Sequence, residues 1–199
     1  MRYDLLTKLL HWGIAVSVTL QLLTSLLMEE PEHGEVRSAF EAGLFEVHEN
    51  VGLIAFGLLL LRWLWALSGH AMAGWQRLFP WLSTEGRREL IGDIRQGLPH
   101  WLKGKLPEPG ERDAIAKTFH GFGLVIASMM AITGLIIFFT MDSDGGLRGF
   151  AHAMGEVHEA FSVLMWIFLV GHLAMAGWHQ LLGHDVLGKM FLFRQPRQS

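Results

Sequence analysis

Four stretches of this chain, about residues 10–28, 48–68, 119–141 and 156–178, each approach the roughly 20 apolar residues that cross the hydrocarbon core of a bilayer. Few folds are open to such a chain. Lipid offers the backbone no hydrogen bonds, so each run must satisfy its own peptide groups as a helix. The expected class is all-α: an integral membrane four-helix bundle, one domain over residues 1–199. Composition agrees, with 51% hydrophobic and only 18% charged residues. The first run lacks a small-x-small cleavage pattern and continues into Met28-Glu29-Glu30-Pro31. It is expected to be a retained span rather than a cleaved signal.

Lys and Arg set the expected orientation, because they collect on the cytoplasmic side. Thirteen fall in the N-terminal tail (Arg2, Lys8), the second loop (Arg77, Arg87, Arg88, Arg95, Lys103, Lys105, Arg112, Lys117) and the C-terminal tail (Lys189, Arg194, Arg197). The first and third loops hold Arg37 and Arg148 only. Both termini are therefore expected to be cytoplasmic. Trp12, Trp63, Trp65 and Trp178 fall near the same inner interface, where amphipathic rings settle. The second loop, about residues 69–118, is the one sizeable part outside the spans. Within it Ser83 to Gln96 reads as an amphipathic helix lying on the membrane, and Pro107, Pro109 and Gly110 punctuate the stretch between that helix and the third span.

The chain has no cysteine, which excludes disulfides, thiolate-held iron–sulfur clusters, zinc ribbons and thioether-linked haem. It has eleven histidines, several inside or at the edges of apolar runs. His158 and His172 lie fourteen residues apart on the fourth span, close to four helical turns, so both project from one face at levels separated by roughly 21 Å. His11 opens the first span level with His172, and His48 opens the second level with His158. Two pairs result: His11 with His172 at the inner surface, His48 with His158 at the outer. Neutral imidazole is a good axial ligand for haem iron, and six-coordination by two histidines favours electron transfer over oxygen chemistry. Any one of these histidines alone is equally well read as bonding a neighbouring helix. It is the set at matched depths that a ligand role explains. No carboxylate joins them with tetrahedral spacing, so a zinc site fits less well.

Arg62 is the one basic residue inside a span, on the face of His48 and fourteen residues further on. It has two readings, a partner for a haem propionate or a side chain snorkelling to the inner interface. His120, at the start of the third span, and His179, seven residues after His172, also belong to the inner level. Each could meet a propionate or a quinone oxygen, or stand as a plain interfacial histidine.

Lys8-Leu9-Leu10-His11-Trp12, His48 followed by Arg62, and Val157-His158-Glu159 through Gly171-His172 together resemble the bacterial cytochrome b561 family, which groups with nickel–iron hydrogenase cytochrome b subunits. The likeness runs over nearly the whole chain. It implies four helices in the bacterial inner membrane and two non-covalent haem b groups, with ligands from the first, second and fourth helices. Carried onto this sequence, the ligands are His11, His48, His158 and His172. The resemblance further implies electron exchange between the quinone pool (ubiquinone or menaquinone) and a periplasmic redox protein; no nucleic-acid partner is expected. One branch of the family oxidises superoxide and reduces ubiquinone. The outer loops here carry Glu29, Glu30, Glu32, Glu35, Glu41, Glu46, Asp142, Asp144 and Glu156. Such a field repels an anion and favours a basic docking partner such as a small cytochrome c. A membrane anchor or assembly protein without haem is the remaining reading.

Overall fold

The computed structural model describes residues 4–28, 38–69, 74–104, 113–141, 147 and 149–190. The acidic residues Glu29, Glu30, Glu32, Glu35, Asp142 and Asp144, expected in outer loops, the basic Arg2, Arg37, Lys105, Arg112, Arg148, Arg194 and Arg197, and the Pro107–Gly110 punctuation lie outside the described residues. Among the described residues seven α-helices occur in chain order: α1 Leu5–Ser25, α2 Ala39–Leu67, α3 Trp75–Leu78, α4 Thr84–Trp101, α5 Asp113–Thr140, α6 Phe150–Leu181 and α7 Val186–Met190, with a 3-10 turn at Pro80–Leu82 between α3 and α4. No strand occurs among the described residues. Helices α1, α2, α5 and α6 are each long and apolar enough to cross a membrane. The all-α, four-span class expected from the sequence is the class observed.

All four spanning helices start ahead of their apolar runs, and at α1, α2 and α5 polar groups near the start account for it, while α1 stops at Ser25, short of the expected residue 28. Asp4 caps α1, its carboxylate accepting from Thr7 N and Thr7 Oγ1, each at 2.7 Å. At α2, Ser38 and Glu41 form a capping box. Glu41 Oε2 accepts from Ser38 N at 2.8 Å, and Glu41 N donates back to Ser38 Oγ at 3.3 Å. That box starts α2 well ahead of the expected residue 48 and leaves His48 inside the helix. Ahead of α5, Asp93 of α4 accepts from Ala114 N at 3.1 Å, so His120 too is interior. The amphipathic helix expected at Ser83–Gln96 is α4, capped by Ser83 Oγ accepting from Gly86 N at 2.9 Å and continuing through Pro99 to Trp101.

The chain divides into two compact bodies, and each spanning helix contributes a segment to both. The first comprises Met1–Leu9, Arg62–Leu124 and Leu169–Ser199. In it Trp63 stacks on Phe79 with ring centres 5.6 Å apart, and Trp81 stacks on Phe122 at 4.7 Å. Trp65 Nε1 donates to Thr7 Oγ1 at 3.1 Å. The second body comprises Leu10–Leu61 and Val125–Phe168. Leu22, Leu59, Ala127 and Met165 are buried in it. Along α6, Leu164, Ile167, Val170 and Leu173 are instead exposed, an apolar surface that belongs against lipid tails.

Candidate haem site

Within the second body, α2 and α6 bring His48 and His158 together. Their ring centres are 6.4 Å apart and their planes cross at 73°. Imidazole nitrogens bind a metal at roughly 2 Å, and with about 1.1 Å more from nitrogen to ring centre on each side, two rings on opposite sides of one metal stand about 6 Å apart centre to centre. The observed pair has that separation. Among the described residues no three His, Asp or Glu side chains gather as a metal cluster, and the arrangement is a pair of neighbouring imidazoles.

Each ring is held from a neighbouring helix. Thr24 Oγ1 on α1 stands 3.1 Å from His48 Nδ1. Thr133 Oγ1 on α5 stands 2.9 Å from His158 Nδ1. With both Nδ1 atoms engaged, Nε2 is the nitrogen left on each ring for a metal. Gln21 of α1 adds a second hold on α2, donating from Nε2 to the His48 carbonyl at 2.7 Å. Two glycines make the close approaches possible. A Cβ on residue 134 would lie 3.2 Å from His158 Cε1, and one on residue 52 would lie 2.7 Å from Gln21 Nε2. Gly52 and Gly134 are legible in the sequence as small residues in apolar spans that let backbones or a flat cofactor approach closely, whereas Thr24, Thr133 and Gln21 do not stand out as site residues. A usable signal is nonetheless there: Thr24 precedes His48 by 24 residues and Thr133 precedes His158 by 25, each at the depth of its histidine on the preceding span.

This chain matches the family model for prokaryotic cytochrome b561 over residues 2–192. The chain belongs to that family. Comparison with curated proteins and with solved structures finds no match. As a prokaryotic cytochrome b561 it is a multi-pass membrane protein that binds b-type haem and transfers electrons. The neighbouring imidazoles of His48 and His158 suit such a group. They provide two neutral nitrogen donors and no thiol or carboxylate to compete for the iron.

The other expected site residues of the cytochrome divide between the two bodies. His11 lies on α1 in the second body, its ring edge-on to Trp12 at 6.0 Å. His172 lies on α6 in the first body. There Phe119 is parallel to it at 6.4 Å, and His120 stands edge-on at 5.2 Å, closer than two rings on opposite sides of one metal stand. His120 Nδ1 lies 2.6 Å from the Ala116 carbonyl, which can only accept, so that nitrogen carries the proton and Nε2 is an acceptor. Arg62, also in the first body, is 8% exposed and feels the attraction of the Asp4 carboxylate. Its side chain is enclosed by protein rather than extended into water. His179 Nδ1 meets His184 Nδ1 at 2.9 Å, one ring donating and the other accepting.

Proposed function

We propose that this cytochrome conducts electrons across the bacterial inner membrane through two haem b groups, one held by His48 and His158 and the other by His11 and His172. Haem, when bound, supplies a one-electron iron couple. The chain's own residues do the remaining work. His48 and His158 would hold the haem iron, and a pair of imidazole donors favours electron transfer over oxygen chemistry. Thr24 and Thr133 orient the rings, and the apolar side chains of the spans keep the surroundings of low polarity, which tunes the potential. The observation that carries this reading is the 6.4 Å separation of the His48 and His158 rings.

In the same proposal both termini are cytoplasmic and the His48–His158 level faces the periplasm. Glu41, Glu46 and Glu156 lie near that level, at the periplasmic ends of α2 and α6. They favour a basic redox protein, such as a small cytochrome c, as the outer partner. A quinone completes the path at the inner level, where His120 and Arg62 stand in one body with His172. Electrons pass between that quinone and the outer partner.

The test is a visible spectrum with haem quantification on the purified protein and on His158→Ala and His172→Ala. Two haems per chain are expected, with a different one lost from each variant. A parent without haem absorbance would remove the reading, and equal loss of both haems from either variant would remove the assignment to separate sites.

A further inference from the structure

Helix α5 supplies none of the four histidines assigned as ligands, yet it touches one of them, and α1 touches another in the same way. Thr133 Oγ1 lies 2.8 Å from the Met129 carbonyl, 3.1 Å from the Met130 carbonyl and 2.9 Å from His158 Nδ1. Thr24 Oγ1 lies 2.9 Å from the Leu20 carbonyl, 3.0 Å from the Gln21 carbonyl and 3.1 Å from His48 Nδ1. A hydroxyl has one proton and two lone pairs, and a carbonyl can only accept. Directed at a carbonyl of its own helix, that proton leaves a lone pair facing the imidazole. Nδ1 must then carry hydrogen and donate. A neutral imidazole protonated at Nδ1 has its free electron pair on Nε2, which is the form that binds metal. Thr133 is 3% exposed, so water does not compete for this bond.

We infer that Thr24 and Thr133 are positioning residues that fix both outer imidazoles as Nε2 donors and hold their planes at the observed crossing angle. Two different helices arrive at one construction, a threonine bonded back to its own backbone and presenting oxygen to a ligand on the next span. The acceptor is a neutral hydroxyl. A carboxylate in its place would draw the Nδ1 proton, make the ring more basic and favour ferric iron. The hydroxyl orients without that push, so the outer haem keeps a higher potential than a carboxylate-backed one would have. This inference rests on the proposed ligation by His48 and His158.

The experiment uses the full-length purified protein with Thr133→Val, Thr24→Val and Thr133→Ser. Haem transfer to an excess of apomyoglobin and the low-temperature EPR spectrum of the ferric protein are recorded. The haem that His158→Ala lacks is expected to leave Thr133→Val and Thr24→Val about 10- to 100-fold faster than the parent, the usual cost of losing such a partner. Its low-spin EPR signal should broaden and move as the ring planes relax, while the other haem keeps its rate and spectrum. Thr133→Ser, which keeps the hydroxyl, should behave as the parent. Parental rates and spectra in both valine variants would overturn the role of the hydroxyls and leave the ligands standing. A parent without the outer haem would remove the ligation itself. Should Thr133→Val fail to fold, Thr24→Val on its separate helix decides the matter alone.

Discussion

Gly134 of α5 faces the imidazole of His158 so closely that a Cβ at this position would stand 3.2 Å from Cε1. A contact that tight requires the ring to shift by a few tenths of an ångström, and a ring shared with a metal has little freedom to do so. Gly134→Ala is therefore expected to cost about 1 to 3 kcal/mol in retention of the haem proposed at His48 and His158, the usual range for overpacking. The check is the haem-to-protein ratio after purification and the rate of haem loss. Parental values for both would show that the ring has room.

Gln21 and Gly52 should behave as a coupled pair. The Gln21 amide occupies the space a residue 52 side chain would need, and its Oε1 is buried without a hydrogen-bond partner among the described residues. Gly52→Ala is expected to destabilise by about 1 to 3 kcal/mol. In a Gln21→Ala background the same change should cost under about half as much, because the obstructing side chain has gone. A double-mutant cycle read by thermal loss of the haem absorbance tests this. Strict additivity would show that the amide moves aside freely.

The capping box at the start of α2 predicts a local effect. Removing it with Ser38→Ala and Glu41→Ala should cost about 0.5 to 2 kcal/mol. The loss should appear as faster amide exchange confined to roughly residues 39–44, with the haem spectrum unchanged, because His48 lies nearly three turns beyond the Ser38 cap. Faster exchange reaching His48 would mean that the cap also supports the ligand.

Arg62 supplies a test of the inner level. A buried positive charge near a haem favours the reduced, less positive iron centre, so Arg62→Ala should lower the midpoint potential of the haem assigned to His11 and His172 and leave the outer haem in place. A redox titration of both haems is the measurement. No change in either would mean that the guanidinium serves Asp4 and the packing of its own body.

The spans were legible because twenty apolar residues in a row have one stable use in lipid. Their ends were not. The turns around His48 contain Glu41, Glu46 and Asn50, polar residues that lower hydropathy without weakening a capped helix, and the box at Ser38 and Glu41 is what begins α2. His48 and His158 were legible as a pair because depth along a helix follows directly from residue count. Thr24 and Thr133 were not, since a threonine bonded back to its own helix is an ordinary sight in an apolar span and gives no sign of its neighbour. Applied to hydroxyls as well as imidazoles, the same depth rule would have matched each to its histidine. For Arg62 the sequence left propionate binding and snorkelling open, and its low exposure speaks against a side chain reaching for water.

Each threonine oxygen that joins one helix of a hairpin to the ring on the next also works as a vernier. A slide of one helical turn along the axis, about 5.4 Å, would carry the oxygen beyond bonding reach of the ring. Within each hairpin, α1–α2 and α5–α6, the two helices are thus indexed against each other by the polypeptide alone. The His48 and His158 rings belong one to each hairpin, so a cofactor that took both would join two pairs of helices whose own registers the polypeptide already sets.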